Sequence, residues 1–233
     1  MDVKPLYLII AGCGPGSPDY LTSAVRKAVE QAEVLVGASR LLELFSGHRG
    51  EKITVGADIE KVLGEIDSRS GRRIVVLVTG DPGLCSLAAP ILKRFGRSAC
   101  KVIPGVSSVQ AAFAAIGMDW LDAKIIDAHG ENPNIKPATL TKEGKIAVFA
   151  GRKDAIDWIT EMVNAIGKGR RIYLCENLTL DDEKVRQIEP GDLEKVETGW
   201  RSIVLIIKEE FFRLNGEHFT ASVLAPVTRS SSP

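Results

Sequence analysis

Three short stretches combine glycine, serine and a carboxylate as backbone-lined ligand loops do. They are Gly12-Cys13-Gly14-Pro15-Gly16, Gly80-Asp81-Pro82-Gly83-Leu84 and Pro104-Gly105-Val106-Ser107-Ser108-Val109. Glycine lets a chain adopt positive φ and lets a ligand approach the main chain closely. A side chain at Gly83 is therefore expected to fill ligand space or to force a forbidden φ. Ser107 or Ser108 is placed to cap an Ala-rich helix, whose first amides are free to hold a carboxylate. Asp81 either caps the helix after it or offers a carboxylate to a ligand amine or hydroxyl. It is the one candidate for a catalytic group, and no general base is identifiable.

The first loop does not suit a dinucleotide. That fingerprint needs a third glycine three residues after the second, and an acid near the tip of the next strand. Ser17 stands where the glycine belongs, and the strand-like run Val34–Val36 ends in Gly37-Ala38-Ser39-Arg40. A structural turn and a loop for a different ligand both remain open. The four cysteines, Cys13, Cys85, Cys100 and Cys175, are scattered without a C-x-x-C pair, and no histidines complete a zinc set. No metal site is expected.

The elements that must position these loops alternate. Strand-length apolar runs fall at Leu6–Ala11, Val34–Val36, Ile74–Thr79, Lys101–Ile103, Lys124–Asp127, Ile146–Ala150, Arg171–Cys175 and Ile203–Ile207. Helical spacing appears at Leu21–Ala32, with Thr22 as N-cap, and at Ser39–Phe45, Ile59–Ser68, Ser86–Phe95 and Ser107–Ile116. The alternation predicts an α/β fold. A composition shift after Gly117 divides the chain into two small α/β domains, 1–117 and 118–233, with mixed or parallel sheets. A cleft between two such domains is a usual place for a ligand.

The bulk numbers exclude several classes. Of 233 residues, 45% are hydrophobic and 26% charged, with thirty basic residues balancing thirty acidic ones. No global field draws the chain to nucleic acid or to an anionic membrane. The apolar run near the N-terminus is too short for a signal peptide, and no stretch approaches a membrane span. With unpaired cysteines, this leads us to expect a cytoplasmic protein. The closing RSSSP reads as frayed.

In this order and spacing, the three loops resemble those of the tetrapyrrole (corrin/porphyrin) methylases. "VLVGASRLLELF", "DAHGE" and "CENLTLDDEKV" are similar to segments of the cobalt-precorrin-7 (precorrin-7) C5-methyltransferases in that family. The resemblance implies a two-domain α/β fold that uses S-adenosylmethionine, leaves S-adenosylhomocysteine, and methylates an electron-rich carbon of a corrinoid ring. It places Cys13, Gly14, Pro15, Gly16, Gly80, Asp81, Gly83, Leu84, Ser107, Ser108 and Val109 against the cofactor. From the second domain it adds Phe149, Ala150, Asn177, Leu178 and Ser202. A ring fringed with acetates and propionates needs cationic partners, for which Arg40, His129, Arg152 and Lys153 are the candidates. The family further implies a homodimer; because two small α/β domains take up nearly the whole length, a decarboxylating C15-methylase, fused to the C5 unit in some organisms, is expected as a separate polypeptide.

Two positions depart from the pattern. Leu84-Cys85 stand where aromatic residues are usual, and Glu131 where a basic residue is frequent. The alternatives are another methylase of the superfamily, including diphthine or ribosomal-RNA types, and a non-catalytic nucleotide- or tetrapyrrole-binding module. The balanced charge argues against the RNA type. Residues 211–233 match no segment of the family.

Overall fold

Strands and helices alternate strictly through the first half of the computed structural model, which describes residues 7–213. Leu6 and the closing segment 214–233 lie outside the described residues, as does the side chain of Lys153. Contacts divide the chain into two compact units, Met1–Ser108 and Val109–Pro233. The division falls at the start of an Ala-rich helix, one helix before the composition shift at 117.

The first unit is a parallel sheet of β1 (Tyr7–Gly12), β2 (Val34–Gly37), β3 (Glu51–Thr54), β4 (Arg73–Val78) and β5 (Cys100–Ile103), in the order β3-β2-β4-β1-β5. Side chains alternate between its faces, and each face carries two helices. α1 (Ser23–Glu30) and α2 (Ser39–Glu43) cover one face with Val25, Val29, Leu41 and Leu42, against Ala11, Leu35, Val75 and Leu77. α3 (Ile59–Asp67) and α4 (Ala88–Phe95) cover the other with Val62, Ile66, Ala88 and Ile91, against Ile10, Val36, Ile74 and Val76. Thr22 caps α1 by accepting the Val25 N–H at 3.3 Å. Connections moving one way across the sheet use one face and those moving back use the other, as right-handed crossovers require. The neighbours β1 and β4 thus send their chains to opposite faces. Ligand loops of open α/β sheets form at the carboxyl ends of such pairs.

The second unit takes in α5 (Ser108–Ala115) from Val109 onward and holds a mixed sheet, β6-β7-β10-β8-β9. β6 (Lys124–Asp127) and β7 (Lys145–Phe149) are parallel; β8 (Arg170–Glu176), β9 (Lys184–Ile188) and β10 (Ser202–Lys208) pair antiparallel. α6 (Lys153–Ile166) packs Ile156, Ile159, Met162 and Val163 onto Val148, Leu174 and Val204, and ends at Gly167, whose φ is +88°. A four-residue α7 (Glu210–Arg213) follows β10.

Besides the short α7, three elements go beyond the sequence reading. α6 carries the apolar spacing of a helix and a C-terminal glycine, both visible in the sequence. β3 (EKIT) and β9 (KVRQI) are sheet edges that keep much of their surface exposed, so neither shows an apolar run. Among the described residues, no helix is long and apolar enough to cross a membrane.

Candidate active site

The three loops of the first unit meet at the carboxyl ends of β1, β4 and β5, and they touch backbone to backbone. The N–H of Gly14 donates to the Gly80 carbonyl at 3.3 Å, and the N–H of Gly80 to the Gly14 carbonyl at 2.8 Å. A Cβ on Gly12 would lie 2.6 Å from the Gly105 nitrogen and 2.7 Å from the Gly80 oxygen. A Cβ on Gly105 would lie 2.4 Å from that same oxygen. Gly14 and Gly80 have φ of +76° and +65°, the region where a side chain is strained. Glycine is thus required at four positions for three loops to form one floor.

Asp81 joins the second loop to the third. Its Oδ1 accepts the Gly83 N–H at 2.8 Å, and its Oδ2 accepts the Gly105 N–H at 3.0 Å. It does not cap α4, which starts seven residues later with Leu87 at the cap position and no side-chain cap bond. The expectation for Gly83 is corrected in one respect: its φ is not left-handed, and an added Cβ would press only on Asp81 Oδ1, at 2.9 Å. Leu84 is half-buried and its N–H donates to the Asp81 carbonyl at 3.1 Å.

Cys13 faces away from this floor. Its side chain is buried with Ala11, Leu21 and Val25. Burial pushes the thiol up to about 12, against the pull of the Arg40 guanidinium and of the Val78 backbone. Cys175, also buried, is likewise pushed up to about 12. Neither is a nucleophile near neutral pH, so any part for Cys13 is through its backbone. Pro15 is buried and Gly16 half-buried in the same loop. Ser107 and Val109 are buried and Ser108 is half-buried where α5 begins. Arg40 comes to the rim from α2, where its Nη2 donates to Thr79 Oγ1 at 2.5 Å.

In the second unit, the expected residues gather at one end of the mixed sheet. The Ala150 N–H donates to the Ser202 carbonyl at 2.9 Å, Ser202 pairs with Glu176, and the Asn177 N–H donates to the Arg201 carbonyl at 3.3 Å. Phe149, half-buried, pairs with Asp127 on one side and Ile203 on the other. Asn177 has φ +50° and is braced by its amide donating to Asp182 Oδ2 at 2.8 Å. Thr179, at φ +71°, is an unusual conformation for a β-branched residue; its N–H donates to Glu183 Oε2 at 2.5 Å. Leu178 is buried, and so is Ser202, whose hydroxyl donates to the Gly199 carbonyl at 2.8 Å.

His129 and Arg152 lie beside this row in different states. His129 is exposed, its N–H held by Asp127 Oδ1 at 2.9 Å. The Arg152 guanidinium is committed: Nε donates to the Ala128 carbonyl at 3.1 Å, Nη2 to Asn132 Oδ1, and Nη1 lies 3.5 Å from Asp154. It braces the loop after β6 against the start of α6. Among the described residues, no group of three metal-ligating side chains forms.

A family model described as Tetrapyrrole (Corrin/Porphyrin) Methylases matches residues 7–194. The chain belongs to this family. Among curated relatives, the cobalt-precorrin-7 C(5)-methyltransferase of Salmonella typhimurium is 32% identical over 179 residues, 76% of this chain and 88% of that protein. The "Probable cobalt-precorrin-7 C(5)-methyltransferase" of Methanocaldococcus jannaschii is 33% identical over 195 residues, covering 79% and 92%. Among solved structures, a uroporphyrin-III C-methyl transferase from Thermus thermophilus, complexed with S-adenyl homocysteine, has a TM-score of 0.72 at 18% identity. That likeness covers 89% of this chain and 93% of the other, and it places the methylase in a shared fold.

Several residues that make contacts around these loops and strand ends carry no clear signal in the sequence. Gly12 and Gly105 sat inside the quoted motifs, but their contact depends on three strands being adjacent. Thr79, the partner of Arg40, reads as the last residue of a strand. Trp200 and Arg201 stand just before β10 in a segment without apolar pattern. The stacking of the Arg201 guanidinium 4.3 Å from the Trp200 ring has no signal in spacing.

Proposed function

We propose that this methylase transfers the methyl group of S-adenosylmethionine to C5 of cobalt-precorrin-7, or of metal-free precorrin-7, in cobalamin biosynthesis. What carries the reading is the likeness, over three quarters of the chain, to relatives named for that C5 transfer. The site geometry supports the cofactor half of it. The floor around Gly12, Gly80 and Gly105 is main chain, and glycine at these positions lets a ligand approach the backbone closely.

When bound, the cofactor supplies an electrophilic sulfonium methyl. The chain's part is to hold and to exclude water. The loops at Cys13–Gly16, at Gly80, Asp81, Gly83 and Leu84, and at Ser107–Val109 orient the donor through backbone groups. Phe149, Ala150, Asn177, Leu178 and Ser202 are the contacts proposed in the second unit. Arg40, His129 and Arg152 are proposed for the substrate carboxylates, Arg152 with only the capacity its present partners leave. Positioning of this kind can contribute about 7–11 kcal/mol to a displacement. Asp81 orients loops, and no proton transfer is assigned to it.

The reading extends to a cytoplasmic homodimer that installs one methyl group beside a separate decarboxylating C15-methylase. Incubation of the purified protein with methyl-labelled cofactor and cobalt-precorrin-7 tests it. Label at C5 is the expected result. Label at another carbon would overturn the regiochemistry, and cofactor binding without transfer to any corrinoid would leave a binding module.

A further inference from the structure

We propose that the turn Trp200-Arg201, with His129 beside it, is a recognition surface for the flat, carboxylate-fringed face of the macrocycle. The inference rests on the function proposed above and adds two residues to it.

Trp200 is 52% exposed and presents indole surface to a flat partner. Arg201 stacks on that ring, which leaves the in-plane edge of a guanidinium for a bidentate anion. Its Nε is buried, and among the described residues it meets no acceptor; Thr198 Oγ1, in the same loop, is in the same state. A buried donor without a partner costs stability unless something supplies the acceptor. Because the Nε has no open surface, a ligand carboxylate pairs with this guanidinium at its Nη atoms, where the charge is matched.

The neighbouring backbone brings a third group to the turn. A Cβ on Gly151 would lie 2.7 Å from His129 Cδ2 and 2.8 Å from the Trp200 carbonyl, so glycine lets the imidazole settle against the turn. The turn itself is fixed in advance, through Ser202 Oγ on Gly199 and Asn177 on the Arg201 carbonyl. A preorganised surface loses less freedom on binding. An exposed aromatic plane, a stacked arginine and an imidazole are the complement of a planar polycarboxylate.

The test measures two affinities in the full chain: for S-adenosylhomocysteine, and for a macrocycle, using uroporphyrin as a stable planar polycarboxylate and cobalt-precorrin-7 itself. Arg201→Gln and Trp200→Ala should each weaken macrocycle binding by about tenfold or more, as aromatic and arginine anchors do, while S-adenosylhomocysteine affinity stays within about twofold. Arg201→Lys, which keeps the charge but loses the planar edge, should fall between, and Trp200→Phe should retain most binding. Unchanged thermal midpoints establish that the variants fold. Loss of S-adenosylhomocysteine affinity with macrocycle binding intact would assign the turn to the purine and overturn the inference, as would no change in either. Wild-type protein that binds S-adenosylhomocysteine but neither macrocycle would overturn the proposed function with it.

Discussion

Asp81 shows how a carboxylate in a glycine-rich loop can tie two loops together through their main chain. Each oxygen already accepts an amide, one from its own loop and one from the loop after β5. An asparagine in its place would offer one acceptor and one donor, so one of the two amides would face an N–H. Leaving the half-buried Gly105 amide unpaired costs about 1–2 kcal/mol, or roughly 2–8 °C in thermal midpoint for a chain of this size. We expect Asp81→Asn to show that loss together with about tenfold weaker S-adenosylhomocysteine binding, because the loop floor is no longer tied. If Asp81 instead moved a proton, the variant would keep its cofactor affinity and lose turnover with a changed pH profile. Calorimetry and a pH–rate series on the same preparation separate the two. The glycines are the more severe positions, since at Gly12 and Gly105 a side chain would meet main chain.

At the scale of elements, sequence legibility followed burial. Strands β1, β2, β4, β7, β8 and β10 are covered on both faces and read as apolar runs, so most of their limits were visible. The edge β3 was not, because its residues alternate with solvent and its place is held by charge. Glu51 on β3 accepts from Arg69 and Arg72, the latter at 2.5 Å, and Arg69 also meets Glu65 at 2.6 Å. Hydrogen bonds from Arg69 and then Arg72 lower the Glu51 carboxyl from 4.5 to about 2. A depressed carboxylate contributes stability that is present above its unfolded value and lost as pH falls through the folded one. Wild type should therefore lose this contribution between pH 4.5 and about 2, and Glu51→Gln should lack it throughout. The difference in thermal midpoint between the two proteins should be largest above pH 4.5, vanish toward pH 2, and shrink in high salt, since the pairs are partly exposed. A difference that stays constant across that range would mean the network does not hold the strand. The contacts of the candidate loops were legible to the same degree. Their glycine and serine motifs are local and could be read, whereas the Arg40–Thr79 contact and the Trp200–Arg201 stack are made only by tertiary neighbours.

For the whole molecule, the question is how much of the corrinoid chemistry one chain performs. Methylation at a ring carbon forms one C–C bond and breaks one S–C bond. Decarboxylation of an acetate side chain breaks a different C–C bond, and needs that acetate held where the electron pair it leaves can pass into the macrocycle. Among the described residues there is one parallel sheet with glycine loops tied at its carboxyl ends, and the second unit is a mixed sheet with a different arrangement of strand ends. The relatives named for C5 transfer are covered over 88% and 92% of their length, so the likeness spans nearly all of a protein with that single assignment. One equivalent of S-adenosylhomocysteine should therefore form per macrocycle. Mass spectrometry of the corrinoid, after incubation with cobalt-precorrin-7 and cofactor, should show the gain of a single methylene unit with every carboxylate retained. Labelled carbon dioxide released by this chain alone would show that it also carries out the decarboxylating step, and a second methyl group on the ring would show that it also performs a second transfer. The separate C15-methylase would then be unnecessary.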